Sequence, residues 1–410
     1  MDYQKLDEYA RLLVVSGLAV KANQLVVIRA SLEARDLVRL VTKYAFEIAK
    51  AKDVIVKYTD DEVEHMRYQY RDVDSFCEYP SYESAFFNDT ANANACYLTL
   101  ESTNPDLMND IDPKKMGNAS RARNQACMPW RVKLNTMQCQ WCIACVPSKE
   151  WALKVYPDAD NPEEALWDAI FKVCRVNGNA IENWDAHKHS FLKKMDIINS
   201  MQIESMHYTN SLGTDFTCRL PENYFFLGGG SYLQDGGYCF PNIPTEELFA
   251  APDRLSCNGK LVASMPLVHN GSMIEDFWFE FKDGKVVDYD ARVGKDVIQS
   301  ILDTDENASY LGELALVPYD SPISNLNTLF YSTLFDENAA CHFALGRAYS
   351  ESIVDGINLS DDELLARGLN ISLSHVDFMI GTKDLMIEAK CKDGSLVKIF
   401  ENGNFTPLFD

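Results

Sequence analysis

The stretch LVVIRASLEARDLVRLVTKYAFEIAKAKDVIVKY, residues 25–58, decides the fold class. Leu25 to Ala30 is a short apolar run of the buried-strand type, and Asp53 to Tyr58 is a second. Between them, from Ala34 to Lys50, the apolar positions recur at helical spacing. Strand, helix and strand with a crossover of this length predict a parallel pair with a right-handed connection.

Working outward, Tyr3 to Ser16 reads as an amphipathic helix closed by Gly17, and Ala95–Glu101 and Met137–Pro147 as further strands. A helix over Pro162–Val176 opens with Asn-Pro-Glu-Glu, placing acids near its positive end. Together these predict an α/β N-terminal domain with a mostly parallel sheet over residues 1–188. No glycine-rich phosphate loop follows any of the strands, so nucleotide binding has no support. The polar run from Val176 to His189, with its His187-Lys-His189 pair, reads as an exposed junction. Beyond it, alternating runs broken by Gly-Gly-Gly-Ser, Asp-Gly-Gly, Asn-Gly and Asp-Gly turns predict hairpins. The second domain, 189–410, is therefore expected to be α+β and largely antiparallel, with short helices at Lys295–Asp303 and Ser360–Arg367.

Composition narrows the function. The 410 residues are 47% hydrophobic and 24% charged, as in an ordinary globular protein long enough for two cores. A formal charge of −23, from 38 basic against 61 acidic residues, disfavours a nucleic-acid phosphate backbone as partner. The acidic N-terminus lacks the layout of a signal peptide, and no run approaches ~18 apolar residues, so no membrane span and a cytoplasmic location are expected. Of twelve cysteines, Cys139, Cys142 and Cys145 stand three apart. They have no nearby fourth soft ligand and read as core thiols rather than a metal cluster.

The chemistry gathers in four places of the second domain. Glu246 and Glu247 are adjacent in PNIPTEELF. Glu313 is the one charge in the apolar run LGELALVP, and a buried carboxylate is costly unless it is paired or holds a cation. FDENAACH brings Asp336, Glu337 and His342. Its predicted form is a hairpin, with strand Leu329–Phe335, a turn through Asp336–Ala339 and a return strand through His342; a helix setting His342 and Tyr349 on one face stands beside it. In SHVDFMIG, His375 and Asp377 are two apart on a strand and point the same way. Two imidazoles with three or more carboxylates and no thiols form the ligand set of a dinuclear zinc, cobalt or manganese site. Hydrolysis follows from such a site, and the residues leave peptide, amide and phosphate ester open, with few Arg or Lys donors to favour phosphate.

The segments NIPTEELFAAP, LGELALVP, TLFDENAACHFALGRAY and HVDFMIG, with GLAVKANQLVVIRA and QWCIACVPSKEWA nearer the N-terminus, resemble the thermophilic-type metallo-aminopeptidases over most of the chain. The resemblance implies a two-domain cytoplasmic exopeptidase that acts on free amino termini, carries two divalent ions per chain and works as a homodimer. Carried over by motif, the ligands would be Glu247, Glu313, His342, His375 and Asp377, with Glu337 as a further one and Glu313 bridging. Tyr349 would lie at the metals and either bind one ion or steady the tetrahedral oxyanion, and Glu246 would be the general base or a supporting partner. The competing expectations are another dinuclear hydrolase, an amidase or phosphoesterase, and a metal-stabilised binding protein without activity.

Overall fold

Leu25–Ser31 and Asp53–Thr59 are neighbouring parallel strands joined through the helix Arg35–Glu47, in a computed structural model that describes residues 1–102, 104–269 and 272–410. Val26, Val27 and Ile28 are buried on the first strand, and Leu37, Val38, Val41 and Ala45 on the helix, which is why the pattern folds as it does. The sheet runs Asn242–Ile243, Trp141–Cys145, Cys96–Glu101, Leu25–Ser31, Asp53–Thr59, and each adjacent pair is parallel. Asp2 caps the first helix, Tyr3–Leu12, by accepting the N–H groups of Gln4 and Lys5.

The chain divides into two compact units, Met1–His187 with Gly230–Pro244, and Lys188–Gly229 with Thr245–Asp410. A single boundary at 188/189 does not capture the return of 230–244, whose two-residue strand completes the parallel sheet. The polar run falls at the division between the units, as expected, and from Ala180 onward it is helical, within Ala180–Ser200. Its polar residues are those of a helix face, and no glycine or proline interrupts it.

Cys139, Cys142 and Cys145 are buried thiols. Cys142 and Cys145 lie at odd spacing on the Trp141–Cys145 strand and so face opposite sides of the sheet. Among the described residues, no group of potential metal ligands includes a thiol.

The second unit stacks two antiparallel sheets. The larger contains Ile203–Thr209, Asp215–Arg219, Asn258–Val262, Ser272–Lys282, Lys285–Val293, Met386–Cys391 and Leu396–Glu401, with shorter strands at its edges. The smaller runs His375–Met379, His342–Gly346, Leu311–Leu316, Leu248–Ala250, Leu227–Gly228. Leu314, Phe343, Leu345, Val376 and Phe378 of the smaller sheet join one core with Met206, Phe216, Phe277 and Phe279 of the larger. Edge-to-face rings fasten the layers: Tyr208 to Phe343 at 5.1 Å, Phe216 to Phe343 at 5.2 Å and Phe279 to Phe378 at 5.0 Å between centroids. The expected short helices occur at Lys295–Leu302 and Asp361–Ala366, the latter with a full capping box from Ser360 and Glu363.

Candidate metal centre

Strand alternation gives the smaller sheet two chemically different faces. With Phe343, Leu345, Val376 and Phe378 turned to the core, His342, Ala344, Gly346, His375 and Asp377 must point the other way. Register then aligns the rows: Glu313 is opposite Ala344, which is opposite Asp377, and Gly346 is opposite His375. The small residues between the polar ones leave the face open. Gly312 sits at the register shift between Leu311 and Glu313. A Cβ there would stand 2.4 Å from the Gly346 carbonyl oxygen, so the two strands close at this point only with glycine.

On that face Glu313, only 4% exposed, reaches both imidazoles. Its Oε1 is 3.6 Å from His342 Nε2 and its Oε2 is 3.4 Å from His375 Nε2. Glu247 Oε2 is 3.2 Å from His342 Nε2, and Asp377 Oδ1 is 3.2 Å from His375 Nε2. Two ligand groups result, Glu247–Glu313–His342 and Glu313–His375–Asp377, with Glu313 common to both. Each imidazole is oriented from behind: His342 Nδ1 lies 3.1 Å from the Ala340 carbonyl oxygen and His375 Nδ1 2.7 Å from that of Arg347. Nδ1–H donating to a carbonyl leaves Nε2 as the free donor atom toward the carboxylates.

The electrostatics call for a cation. Burial works against a charged imidazole, yet the carboxylates of Glu247 and Glu313 hold His342 well above its ordinary range, and Asp377 and Glu313 do the same for His375. Burial would raise Glu313 and Asp377, but their histidine partners pull both below the usual carboxylate values. For Glu247, burial prevails and its pKa is raised. Glu337 is pushed well up by burial and by the charges of Asp377 and Glu247. Were all four carboxylates ionised, the cluster would keep two negative charges even with both rings protonated, and that excess pushes Glu337 and Glu247 toward their neutral forms. Two divalent ions with neutral imidazoles would bring it to zero. Glu313 Oε2 is also buried without a hydrogen-bond partner, a lone pair with a place for a ligand bond. The residues present therefore fit divalent metal, and their oxygen and nitrogen donors suit zinc, cobalt or manganese.

The remaining predicted residues surround this cluster. The Tyr349 ring is 5.0 Å from that of His375 and 5.6 Å from Phe249, and the residue is 48% exposed. Glu246 is buried; its backbone N–H donates to Asn338 Oδ1 at 2.7 Å, and its charge acts on Lys194. The expected hairpin leading to His342 is not formed. Only the return strand, His342–Gly346, exists, and Thr333–Asp336 and Glu337–Ala339 are short helical turns. Asp336 is the cause: its buried carboxylate accepts the N–H groups of Phe330 and Ser332 at 2.8 and 3.1 Å, closing the chain on itself. Burial raises that carboxyl to about 7 against these bonds. The strand also removes the alternative of a helix carrying His342 and Tyr349.

Asn338, fully buried, was missed from sequence. Its amide donates to Leu334 O at 3.0 Å and its oxygen accepts from Glu246, so it ties the Glu247 segment to the turn bearing Glu337. The only signal was an asparagine beside the acids.

A sheet face carrying two oriented imidazoles and a shared buried carboxylate defines a metal-dependent hydrolase. The chain belongs to the thermophilic metalloprotease (M29) family, which it matches over residues 2–405. Aminopeptidase AmpS of Bacillus subtilis is 40% identical over 405 residues, covering 98% of both chains, and aminopeptidase 2 of Geobacillus stearothermophilus is 39% identical with the same coverage. The solved structure of wild-type AmpT from Thermus thermophilus superposes with a TM-score of 0.91 at 32% identity, over 98% of this chain and 99% of that one.

Proposed function

We propose that this chain, a metal-dependent aminopeptidase by family and relatives, releases amino-terminal residues using two divalent ions held by the smaller sheet of its second unit. Glu247, Glu313 and His342 hold one ion and Glu313, His375 and Asp377 the other, with Glu337 completing the set. The observation that carries this is Glu313, whose two oxygens address different histidines. When bound, the ions would supply a lowered pKa for a water and an electrophile for the scissile carbonyl.

The side chains do the rest. The Glu246 carboxylate, whose charge acts on Lys194, takes the proton of the attacking water and returns it to the leaving amine. The Tyr349 hydroxyl donates a hydrogen bond to the oxygen that becomes negative on the substrate carbonyl. The excess of carboxylate favours the cationic free amine of a peptide and disfavours phosphate esters. Oxygen and imidazole donors make zinc, cobalt or manganese the metals of choice.

Two further features belong to this reading. The helix Asp61–Tyr70 buries none of its residues and exposes Val63, Met66 and Tyr70, which supports a homodimer. A chain rich in buried thiols suits a reducing, cytoplasmic setting, and no helix among the described residues is long and apolar enough to cross a membrane. Elemental analysis should give two ions per chain, and the loaded protein should hydrolyse an amino-acid anilide but not its N-acetylated form. One ion per chain, or equal cleavage of the blocked substrate, contradicts the reading.

A further inference from the structure

The first unit concentrates positive charge at one point of the parallel sheet, in a chain whose formal balance is −23. Arg29 and Lys57 are paired in register on adjacent strands, which sets like charges side by side, an arrangement that normally costs stability. Arg123 arrives from a third element, the helix Pro113–Ala126. All three converge on one aromatic ring: Arg29 Cζ is 5.8 Å, Lys57 Nζ 5.2 Å and Arg123 Cζ 5.9 Å from the centroid of Phe87. The floor continues into Trp130, whose ring is 5.0 Å from Phe87 and 5.7 Å from Arg123.

Lys57 is neutralised by Glu83. The arginines are not: among the described residues neither guanidinium makes a hydrogen bond or a salt bridge, and the carboxylate acting on Arg29 is that of Glu101 at the end of the neighbouring strand. Burial, with the charge of Arg123, brings the Arg29 guanidinium down to about 10. The indole N–H of Trp130 is likewise buried without a partner. Stacking on Phe87 satisfies the π-face of a guanidinium but none of its five N–H donors, whose fixed fork matches the oxygens of a carboxylate or phosphate. Both arginines are only partly buried, so such a ligand has access.

We propose that Arg29, Arg123 and Lys57 form a binding site for a small oxyanion, a carboxylate or a phosphate, over the Phe87–Trp130 floor of the first unit. Nothing in the aminopeptidase reaction requires this site, and it stands whether or not the metal assignments hold. Bound there, an oxyanion offsets the repulsion between Arg29 and Arg123 and pins the helix Pro113–Ala126, which buries none of its own residues.

The test titrates the metal-loaded full chain with inorganic phosphate and, separately, acetate, at constant ionic strength balanced with chloride, by calorimetry and thermal melting. At least one of the two should saturate at one site per chain and raise the melting temperature. Arg29→Gln and Arg123→Gln should each weaken that binding tenfold or more while keeping peptidase activity. Saturation by phosphate alone assigns a phosphate ligand, and saturation by acetate at equal or lower concentration a carboxylate. Phosphate can also meet the metal ligands, so saturation undiminished in both variants overturns the proposal, as does saturation by neither anion. Should Arg29→Gln fail to fold, Arg123→Gln, altered on a helix that buries no residue, carries the same test.

Discussion

Replacing Glu313 by glutamine keeps the side-chain volume but turns one carboxylate oxygen into an N–H donor and removes a negative charge from the centre of the cluster. Both ligand groups lose a member, because Glu313 belongs to each. We expect metal affinity to fall about 100-fold or more at each position, since even outer partners of metal ligands are worth 10–100-fold. At a free metal concentration near 100 times the wild-type Kd, binding stabilises the folded chain by about 2.7 kcal/mol per site, and a 100-fold weaker site retains about 0.4 kcal/mol. At about 2–4 °C per kcal/mol for a unit of this size, each lost site removes roughly 5–9 °C of metal-dependent melting temperature. In the metal-free chain the same substitution also costs stability. Burial and the Asp377 charge oppose the Glu313 carboxylate, but His342 and His375 hold its carboxyl below the ordinary range, so Glu313→Gln should lower the melting temperature there as well, by less than it removes from the metal-loaded chain. The assay compares metal per chain, melting with and without chelator, and anilide hydrolysis for both proteins. Two ions per chain together with wild-type kcat/KM in Glu313→Gln would falsify the shared-carboxylate reasoning.

Tyr349→Phe should keep both ions yet lower kcat by on the order of 10²-fold, the usual cost of one oxyanion donor; a change under threefold removes the hydroxyl from the reaction. Phe343→Ala deletes a fully buried ring that touches Tyr208 and Phe216, and should cost about 3–5 kcal/mol in chemical denaturation, with a shift below 1 kcal/mol showing that the two sheets are not joined there. Asp305 accepts the N–H groups of Leu373 and Asn307 at 2.6 and 2.8 Å and the Ser372 hydroxyl at 2.8 Å, fixing the loop that enters the His375 strand. Burial would raise its carboxyl, but these bonds hold it below the ordinary value. A depressed carboxylate stabilises the fold above its unfolded pKa of about 3.9 and loses that contribution as pH falls through the lower, folded value. Melting followed from pH 6 downward should therefore fall less steeply in Asp305→Asn than in the wild type; parallel curves would contradict this.

How far the sequence reached depended on how local each signal was. His375 and Asp377 were legible as a same-face pair because strand alternation is set within a few residues, and Glu313 because a lone acid in an apolar run has to be explained by something it meets. The βαβ unit at 25–58 was legible for the same reason. The hairpin before His342 failed because Leu329–Phe335 is apolar enough for a strand, while one buried side chain, Asp336, bonds the backbone and turns it into helix. The adjacent acids Glu246 and Glu247 could not be separated from sequence: a shift of one residue exchanges their faces, and what settles the face is pairing with Leu316 and the contact with His342, both distant in the chain. The return of 230–244 to the first sheet rests on Asn242–Ile243 pairing beside Trp141–Cys145, a contact between segments about a hundred residues apart that leaves no local trace.

The same alternation binds the core and the candidate metal face into one constraint. His342 and Phe343 are consecutive, so any slip that moved His342 off Glu313 would drive Phe343 out of the ring cluster with Tyr208, Phe216 and Phe378. Two glycines lock that register. A Cβ on Gly312 would strike the Gly346 carbonyl, and Gly346, at φ +104°, would carry a Cβ 2.2 Å from the Ser374 carbonyl oxygen, next to His375. The precision with which Glu313 addresses two imidazoles is thus maintained by apolar packing on the far side of the sheet and by close backbone approach along it, before any metal contributes. That places the main threat to activity beyond the ligands in core substitutions that let the strands shift.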